Sequence, residues 1–415
     1  MSVDKVPELR FEGFSGEWEE KILGEQVQLE NGFAFQSKYF KKSPTEVIVL
    51  TPGSVNIGGG FQAGKGQYYD IKQEVSPRYI FKPDDMFITM TDLTPTAQAL
   101  GFPAIIPRDN YTYLHNQRLG KLVGFKGDSG FLYSLLRTTK KQKEVVSTSS
   151  GTTVKHTSPD KFLNRFCFFP KNEEQIQIGD YFQKLDSLID QHQLKYKKLS
   201  NIKKAMLERM FPKQGETIPE IRFKGFSGEW EEKELGALAE IVRGASPRPI
   251  EDPKWFDRNS SVGWLRIRDV TEQDGRIHYL EQRISKLGQE KTRVLSEKHL
   301  LLSIAASVGK PVINYVETGV HDGFLIFKKP RFELEYMYQW LKSFEERWQQ
   351  YGQPGSQVNL NSDIVKSQLV TIPSNEEQQE IGNYFQKLDA LIKQHQQQIT
   401  KLNNIKQACL NKMFV

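Results

Sequence analysis

The segment NEEQIQIGDYFQKLDSLIDQH (172–192) is repeated 203 residues later as NEEQQEIGNYFQKLDALIKQH (375–395). When the comparison is extended to residues 211 and 414, 26 of the 40 aligned positions are identical. Apolar residues recur in both copies at alternating spacings of four and three, which predicts a helix with a coiled-coil seam. The seam positions are Ile178, Phe182, Leu185, Ile189, His192, Tyr196 and Leu199 in the first copy, and Ile381, Phe385, Leu388, Ile392, His395, Ile399 and Leu402 in the second.

Pairing of the two repeated helices is the simplest way to bury both seams. About 40 helical residues form a rod of roughly 60 Å, and one rod cannot cover its own apolar face. Each copy closes one half of the chain, so we predict that the two helices pair with each other. Antiparallel pairing is favoured over parallel pairing, because the parallel arrangement would require the second half to return along the rod. Asn172 and Asn375 are the predicted N-caps.

A histidine stands in each copy where a seam normally carries an apolar residue, at His192 and His395. A buried polar residue at a seam position can fix the register of a coiled coil. A metal site is disfavoured, because no cysteine or carboxylate stands beside either histidine at ligand spacing. We therefore predict that both histidines set the register.

A second repeat places the helices in a tandem architecture. The motif RFEGFSGEWEE (10–20) returns as RFKGFSGEWEE (222–232), and the blocks between motif and helix contain short β-branched and aromatic runs broken by Gly and Pro. The predicted fold class is α+β, with two β-rich α/β blocks in tandem, each followed by a long helix, the helices forming an antiparallel coiled coil with pseudo-two-fold symmetry. The predicted boundaries are 1–171 for the first block, 172–211 for the first spacer helix, 212–217 for a linker, 218–374 for the second block and 375–415 for the second spacer helix.

Composition predicts a folded protein, and its basic charge leans toward an anionic partner, although many soluble proteins are equally basic. The 415 residues carry a formal net charge of +6, and this length favours two or more domains. Residues 22–171 contain 19 basic and 12 acidic side chains, whereas residues 234–374 contain 19 and 18. The only cysteines, Cys167 and Cys409, are far apart and disfavour a disulfide or zinc scaffold. Without an apolar leader or a run of 18 apolar residues, the sequence predicts a cytoplasmic protein that does not span a membrane.

A search for catalytic motifs favours a binding function. The stretch GGFQAGKG (59–66) fits G-x-x-x-x-G-K, but Gly66 stands where a phosphate loop needs Ser or Thr. No nucleophile, metal or methyltransferase motif is apparent, so the chain is predicted to be non-catalytic. Arginine suits guanine, Asn and Gln suit adenine, and Lys suits phosphate. The candidate DNA-binding residues are Lys65, Asn116, Gln117, Arg118, Lys155, His156, Arg243, Arg248, Arg266, Arg268 and Lys310.

Together these features resemble the specificity subunit of a bacterial type I restriction-modification system. The resemblance rests on the paired helices, the RFxGFSGEWEE motifs and the block openings ENGFAFQSKYF (30–40) and VRGASPRP (242–249). It implies that each block is a target recognition domain for one half of a bipartite site in double-stranded DNA. It also implies that the helices set the spacer and dock two modification subunits, adenine N6-methyltransferases, which restriction subunits join. The chain itself would bind no cofactor, because S-adenosylmethionine, ATP and Mg would belong to partner subunits.

Other functions are also compatible with parts of the sequence. A stand-alone DNA-binding regulator with two unlike reading domains is the main alternative, and it would bind tightly without partners. An enzyme of phosphoryl transfer would require the loop around Lys65 to bind ATP. A DNA-mimic inhibitor is disfavoured, because such a protein should be strongly acidic.

Overall fold

The computed structural model describes residues 5–70, 72, 74–94, 96–305, 308–351 and 360–415. The chain forms two compact units, and each contains part of both long helices. Unit 1 comprises Met1–Gln193 with Gln397–Val415, and unit 2 comprises Leu194–Gln396. Within the described residues, no helix is both long enough and apolar enough to cross a membrane.

Unit 1 is built on a four-stranded sheet of order β2-β9-β5-β7 and a three-stranded sheet of order β4-β3-β8. Its strands are β1 (Glu19–Ile22), β2 (Gln28–Asn31), β3 (Val47–Val49), β4 (Gln67–Tyr68), β5 (Met86–Thr89), β6 (Thr91–Asp92), β7 (Pro103–Ile105), β8 (Thr112–Leu114), β9 (Leu119–Val123), β10 (Lys155–His156) and β11 (Phe166–Phe169). Its helices are α1 (Leu23–Gln26), α2 (Ser129–Leu136), α3 (Thr139–Ser147), α4 (Pro159–Leu163) and the first part of α5 (Asn172–Arg209).

Unit 2 repeats this plan with a five-stranded sheet of order β13-β20-β17-β18-β15 and a three-stranded sheet of order β14-β19-β16. Its strands are β12 (Glu231–Glu234), β13 (Glu240–Arg243), β14 (Gly263–Leu265), β15 (Arg276–Ile277), β16 (Arg293–Leu295), β17 (Leu300–Ser303), β18 (Pro311–Asn314), β19 (Thr318–Val320), β20 (Phe324–Lys328) and β21 (Leu369–Ile372). Its helices are α6 (Leu235–Leu238), α7 (Ile267–Glu272), α8 (Lys286–Gln289), α9 (Leu334–Ser343), α10 (Ser362–Lys366) and the first part of α11 (Asn375–Lys412).

The shared plan confirms the predicted α+β class, with two β-rich blocks in tandem and a long helix after each. Strands β2, β9, β5 and β7 of unit 1 correspond in order to β13, β20, β17 and β18 of unit 2. The short pairs β1 with β11 and β12 with β21 are antiparallel, and each joins the first strand of a block to its last strand. The strand that leads into each long helix is therefore fixed by the start of its own block.

The repeated arginine of the RFxGFSGEWEE motif fixes each block to the first turn of its long helix. Arg10 donates from Nε and Nη2 to the two carboxylate oxygens of Glu174, each at 2.7 Å. Arg222 makes the same two bonds of 2.7 Å to Glu377. Both glutamates are about 1% exposed, so the two-pronged contact of each guanidinium compensates an otherwise buried charge.

The residues that follow Glu174 in the repeated helix bind the short helix packed against it. Gln175 donates to Pro170 O at 2.9 Å and accepts from the backbone N–H of Asp128, the N-cap of α2, at 3.2 Å. One turn later, a Cβ on Gly179 would lie 2.9 Å from the backbone nitrogen of Phe131. Glycine therefore lets α2 approach the long helix closely, and the equivalent residues Gln378 and Gly382 serve α9 in unit 2.

Within unit 1, the start of α5 packs against the end of α11. The rings of Phe182 and Phe414 have centroids 5.8 Å apart. Farther along α5, Asp186 Oδ1 forms an ion pair with Lys406 Nζ at 2.5 Å. Because the contact position advances on α5 while it retreats on α11, the two segments run antiparallel.

Within unit 2, the same contacts occur with the helices exchanged. Phe385 stacks on Phe211 with centroids 6.1 Å apart, and Asp389 pairs with Lys203 at 2.6 Å. Each of these residues is related to its counterpart in unit 1 by the 203-residue offset. The helix segments are therefore antiparallel in each unit, as predicted, whereas a coiled coil along their full length stays a prediction.

Burial of the predicted seam residues decreases along each helix. None of them is exposed. The buried positions are Ile178, Phe182, Leu185, Ile189, Ile381, Phe385 and Leu388, and the half-buried ones include His192, Leu199, Ile392, His395 and Leu402. The first turns of each helix join the core of their own block, so those seam residues contact sheet and short-helix side chains as well as the other long helix.

The predicted N-caps are wrong by one residue. Asn172 and Asn375 are the first helical residues, and the caps are the residues before them. Ser374 accepts at Oγ from the backbone N–H of Glu377 at 3.3 Å. The carbonyl of Lys171 accepts backbone N–H groups from the first turn of α5. In the second helix, the serine before Asn375 is an equally good cap by residue type, whereas in the first helix the cap is a lysine that acts through its backbone carbonyl.

Candidate nucleic-acid interface

A glycine that follows strand β2 of unit 1 lies directly against the loop after β8. Phe33 donates its N–H to His115 O at 2.8 Å and accepts from Gln117 N–H at 3.1 Å. A Cβ on Gly32 would lie 2.2 Å from Asn116 O. The backbones touch here, so only glycine fits. We call His115–Arg118 the reader segment of unit 1.

Unit 2 has the same close approach at Gly244, which follows β13. Gly244 donates its N–H to Phe324 O at 2.9 Å, and Ala245 donates to Val320 O at 3.0 Å. A Cβ on Gly244 would lie 2.1 Å from His321 O. The segments ENG and VRG that open the two blocks are thus structural equivalents. We call His321–Gly323 the reader segment of unit 2.

A histidine begins each reader segment; His115 is buried and His321 is half-buried. His115 Nε2 donates to Leu119 O at 3.0 Å, since a carbonyl can only accept. Its Nδ1 has no hydrogen-bond partner in the part of the chain that the structure describes. Burial lowers the pKa of His115 to about 4. His321 accepts from Gly323 N–H at Nδ1 (2.8 Å), and burial lowers its pKa as well.

This burial predicts that acid destabilises unit 1. Because the folded pKa of His115 lies below its ordinary value near 6.5, the fold favours the neutral ring. The contribution of the neutral ring to the free energy of unfolding is fully present above about pH 6.5. It is lost as the pH drops toward 4, by about 3 kcal/mol for this group. Hydrogen exchange of β8 and β9 at pH 7 and pH 4.5 measures the loss. A His115→Gln variant should show a smaller pH dependence, and an unchanged dependence would contradict the assignment.

The structure brings the other predicted residues of unit 1 to the edge formed by the reader segment. Asn116, Gln117 and Arg118 lie in the segment itself, and Gln117 and Arg118 are exposed. Met90 connects it to the next strand pair, because Met90 N–H donates to Arg118 O at 2.9 Å and Thr157 N–H donates to Met90 O at 3.0 Å. That pair is β6 with β10, so Lys155 and His156 stand beside the segment.

The backbone of Lys65 lies near the same edge, on the side of β3. Thr51 Oγ1 donates to Lys65 O at 2.9 Å. The register of β3 against β8 is parallel and aligns Val49 with Leu114, so Thr51 lies level with Asn116. Lys65 leads into strand β4 and not into a helix, so the glycine-rich stretch lacks the helix N-terminus of a phosphate loop.

The glycines of that stretch have a packing role in unit 1. Arg137 donates from Nε to Gly58 O at 3.1 Å, and a Cβ on Gly59 would lie 2.8 Å from Cγ of Arg137. The same guanidinium donates from Nη1 to Asp186 on α5 at 2.5 Å. The glycine turn therefore rests against the arginine that joins the block to the long helix.

Sequence reasoning missed an exposed aromatic cluster beside the reader segment. Phe33 is 45% exposed although it is apolar. Its ring lies 5.3 Å from Phe35 and 5.1 Å from Tyr79, and Arg78 stands over Tyr79 at 4.9 Å. The available signal was the alternation NGFAF directly after a strand, where two aromatic residues follow Asn-Gly. An aromatic face among donors suits contact with a base or with a thymine methyl group.

In unit 2, two predicted arginines converge on the reader segment. Arg243 donates from Nε to Asp322 O at 2.6 Å, and Arg248 donates from Nη2 to Asp322 Oδ2 at 2.6 Å. Arg293 donates from Nε to Arg243 O at 2.7 Å. Asp322 and Arg293 were not predicted, because the sequence offers no sign that residues from β16 and β13 meet.

The remaining predicted residues of unit 2 lie in three different settings. Arg266 follows β14, which runs parallel to β19, and its guanidinium pairs with Asp269 at 2.9 Å. Arg268 is exposed on α7 and pairs with Glu272 four residues later. Lys310 ends the β17–β18 hairpin but lines a cavity of about 920 Å³ that Trp340 also lines. Lys310 therefore lies apart from the arginine cluster.

The chemistry available at both edges is hydrogen-bond donation and aromatic contact. Amides, guanidiniums and lysines present donors that suit base edges and phosphates. In the described residues, no three His, Cys, Asp or Glu side chains come together as a metal site. The edges differ in kind: unit 1 combines amides with an aromatic cluster, and unit 2 gathers arginines around Asp322.

Comparison with known proteins agrees with this arrangement. The family model described as "Type I restriction modification DNA specificity domain" matches residues 15–225 and 227–404. The crystal structure of a type I restriction-modification S subunit from M. genitalium is similar with a TM-score of 0.64 and 13% identity, covering 99% of each chain. A structure from work on complex assembly and conformational transition of the type I R-M system has a TM-score of 0.52 and 16% identity, covering 95% of this chain and 97% of that one. At these identities the likeness shows the fold.

Proposed function

Because the chain belongs to the type I restriction modification DNA specificity domain family, we propose that its two units read the two halves of a bipartite DNA site. The observation that carries this proposal is the close backbone approach that occurs at Gly32 in unit 1 and again at Gly244 in unit 2. Each unit thus holds a reader segment in the same backbone arrangement, but the two segments differ in chemistry. DNA sequence specificity is the property of the family. A fold shared by the two units, with reader segments that differ between them, supports recognition of two different half-sites.

The two reader segments would differ in the bases they select. Asn116 and Gln117 offer amides that pair with adenine in the major groove, and Phe33 offers an apolar surface for a thymine methyl group. The arginine cluster of unit 2 suits guanine. Lys65 and Lys155 would contact phosphates and so position unit 1 without selecting a sequence.

The paired helix segments would set the spacing between half-sites and provide the surface for partner subunits. Half-sites on one face of DNA lie about 34–36 Å apart for each helical turn, a distance within the roughly 60 Å length of a 40-residue helix. We propose that two modification subunits dock on this chain and that restriction subunits join the complex. The chain would be non-catalytic, and S-adenosylmethionine, ATP and Mg would be bound by those partners.

Mapping of methylated adenines tests the proposal. The chain is co-expressed with the methyltransferase subunits of a type I system from the same genome, and the DNA of the host is sequenced for N6-methyladenine. We expect a split motif whose halves are separated by a fixed spacer. A gel-shift assay without the methyltransferase should show weak binding. Tight, specific binding by the chain alone, with no split motif in the host DNA, would favour the stand-alone regulator.

A further inference from the structure

The reader segment of unit 2 contains a carboxylate whose bonds organise the loop around it. Ser246 Oγ donates to Asp322 Oδ1 at 2.8 Å, and Asp322 N–H donates to Ser246 Oγ at 3.2 Å. Arg248 donates to the other carboxylate oxygen at 2.6 Å. Burial opposes ionisation of Asp322, but the Ser246 bond and the charges of Arg248 and Arg243 lower its pKa. The carboxylate is thus a fixed anion with both oxygens engaged.

More positive charge gathers at this point than one ion pair requires. Arg243 donates to the carbonyl of Asp322, and Arg293 donates to the carbonyl of Arg243. Three arginines are therefore joined at Asp322, and of these only Arg248 contacts its carboxylate. The side chain of Arg248 is 73% exposed although it is paired with Asp322. An exposed ion pair of this kind contributes little to stability, so stability alone does not account for the arrangement.

The geometry leaves most of the Arg248 guanidinium available to a ligand. A guanidinium carries five N–H donors in one plane, and Asp322 accepts one of them, from Nη2. Two parallel donors on one edge match the O6 and N7 acceptors that guanine presents in the major groove. Fixing the plane in advance reduces the side-chain entropy that is lost on binding.

We propose that Arg248 reads a guanine in the half-site of unit 2, and that Asp322 and Ser246 are positioning residues that hold its guanidinium for this contact. The proposal rests on the proposed function. Counted from the close contacts at Gly32 and Gly244, Gln117 of unit 1 stands where unit 2 has Asp322. The two units therefore select different bases at equivalent points of the fold.

The decisive variant is Arg248→Lys, which keeps the charge and removes the planar pair of donors. In the complex with methyltransferase subunits, we expect the methylation motif to relax at one G·C pair of one half-site and to stay unchanged in the other half. Asp322→Asn, which keeps the shape and removes the charge, should relax the same base pair to a smaller extent. Arg331→Lys is the matched control, because Arg331 is exposed beyond the far end of β20.

A base analogue shows whether the contact is direct. Replacing the guanine by 7-deazaguanine removes the N7 acceptor, and we expect the wild-type complex to bind that duplex about tenfold more weakly. The Arg248→Lys complex should show little further loss. An unchanged motif, or a loss that is equal for all sequences and marks a phosphate contact, would overturn the guanine assignment alone. A wild-type complex without any sequence preference would overturn the proposed function with it.

Discussion

Replacing Glu377 with alanine is expected to lower the free energy of unfolding of unit 2 by about 3–5 kcal/mol. The carboxylate is buried and both of its oxygens accept from Arg222 at 2.7 Å. Without it, a guanidinium that is 16% exposed loses its counter-charge. Hydrogen exchange of β12 and β21 reports the effect locally, because the motif of Arg222 leads into β12 and Glu377 begins the helix after β21.

Two controls separate the ion pair from general damage to the helix. Glu380→Ala removes an exposed acid on the next turn and should change stability by less than about 0.5 kcal/mol. The double variant Arg222→Met with Glu377→Leu replaces the pair by apolar side chains and should regain much of the loss. A Glu377→Ala protein as stable as Glu380→Ala would show that the buried pair is not needed. Glu174→Ala is the same test in unit 1.

Replacing Gly32 with alanine is expected to abolish sequence discrimination by unit 1 while unit 2 keeps its own. The new Cβ would lie 2.2 Å from Asn116 O and 2.6 Å from His115 O, which are backbone atoms of the reader segment. Neither can rotate away as a side chain could, so the segment must move. Overpacking of this kind costs about 1–3 kcal/mol, and the displaced donors of Asn116 and Gln117 would miss their bases.

The measurement is again the methylation motif, scored for each half separately. Gly53→Ala is the matched control, since its Cβ would lie 3.6 Å from the nearest atom, the hydroxyl oxygen of Thr51. Gly244→Ala repeats the experiment in unit 2, where the Cβ would lie 2.1 Å from His321 O. The role assigned to the reader segments would be refuted if Gly32→Ala kept both half-sites intact.

The repeated helices and the fold class were predictable because their signals are local and occur twice. A seam spacing such as Phe182 to Leu185 lies within one element, and duplication separates it from chance. Glu174 shows the limit of this approach. The sequence gives the same two glutamates in both copies, yet only the structure distinguishes the buried partner of Arg10 from exposed Glu173. That difference depends on a contact across 164 residues.

The sequence indicates which types of residue form the candidate interface, but not which side chains come together there. Arg248 and Asn116 were named because guanidinium and amide groups suit base edges. Asp322 was not, because a carboxylate looks unfavourable for DNA until its bonds to Ser246 and Arg248 are seen. Phe33 was missed because an apolar residue after a strand is normally assigned to the core, and its 45% exposure is a tertiary property.

The two sets of contacts between the long helices use the same residues of one repeat, separated by a constant offset. Four side chains that the end of α11 and the residues after it insert into unit 1 have identical counterparts at the end of α5 and just after it: Lys406, Leu410, Met413 and Phe414 correspond to Lys203, Leu207, Met210 and Phe211. Two identical half-length polypeptides ending after α5 could therefore lend each other these segments, as in domain swapping. Under the proposed function, such a pair would read a palindrome, and two diverged copies joined in one polypeptide would permit an asymmetric target.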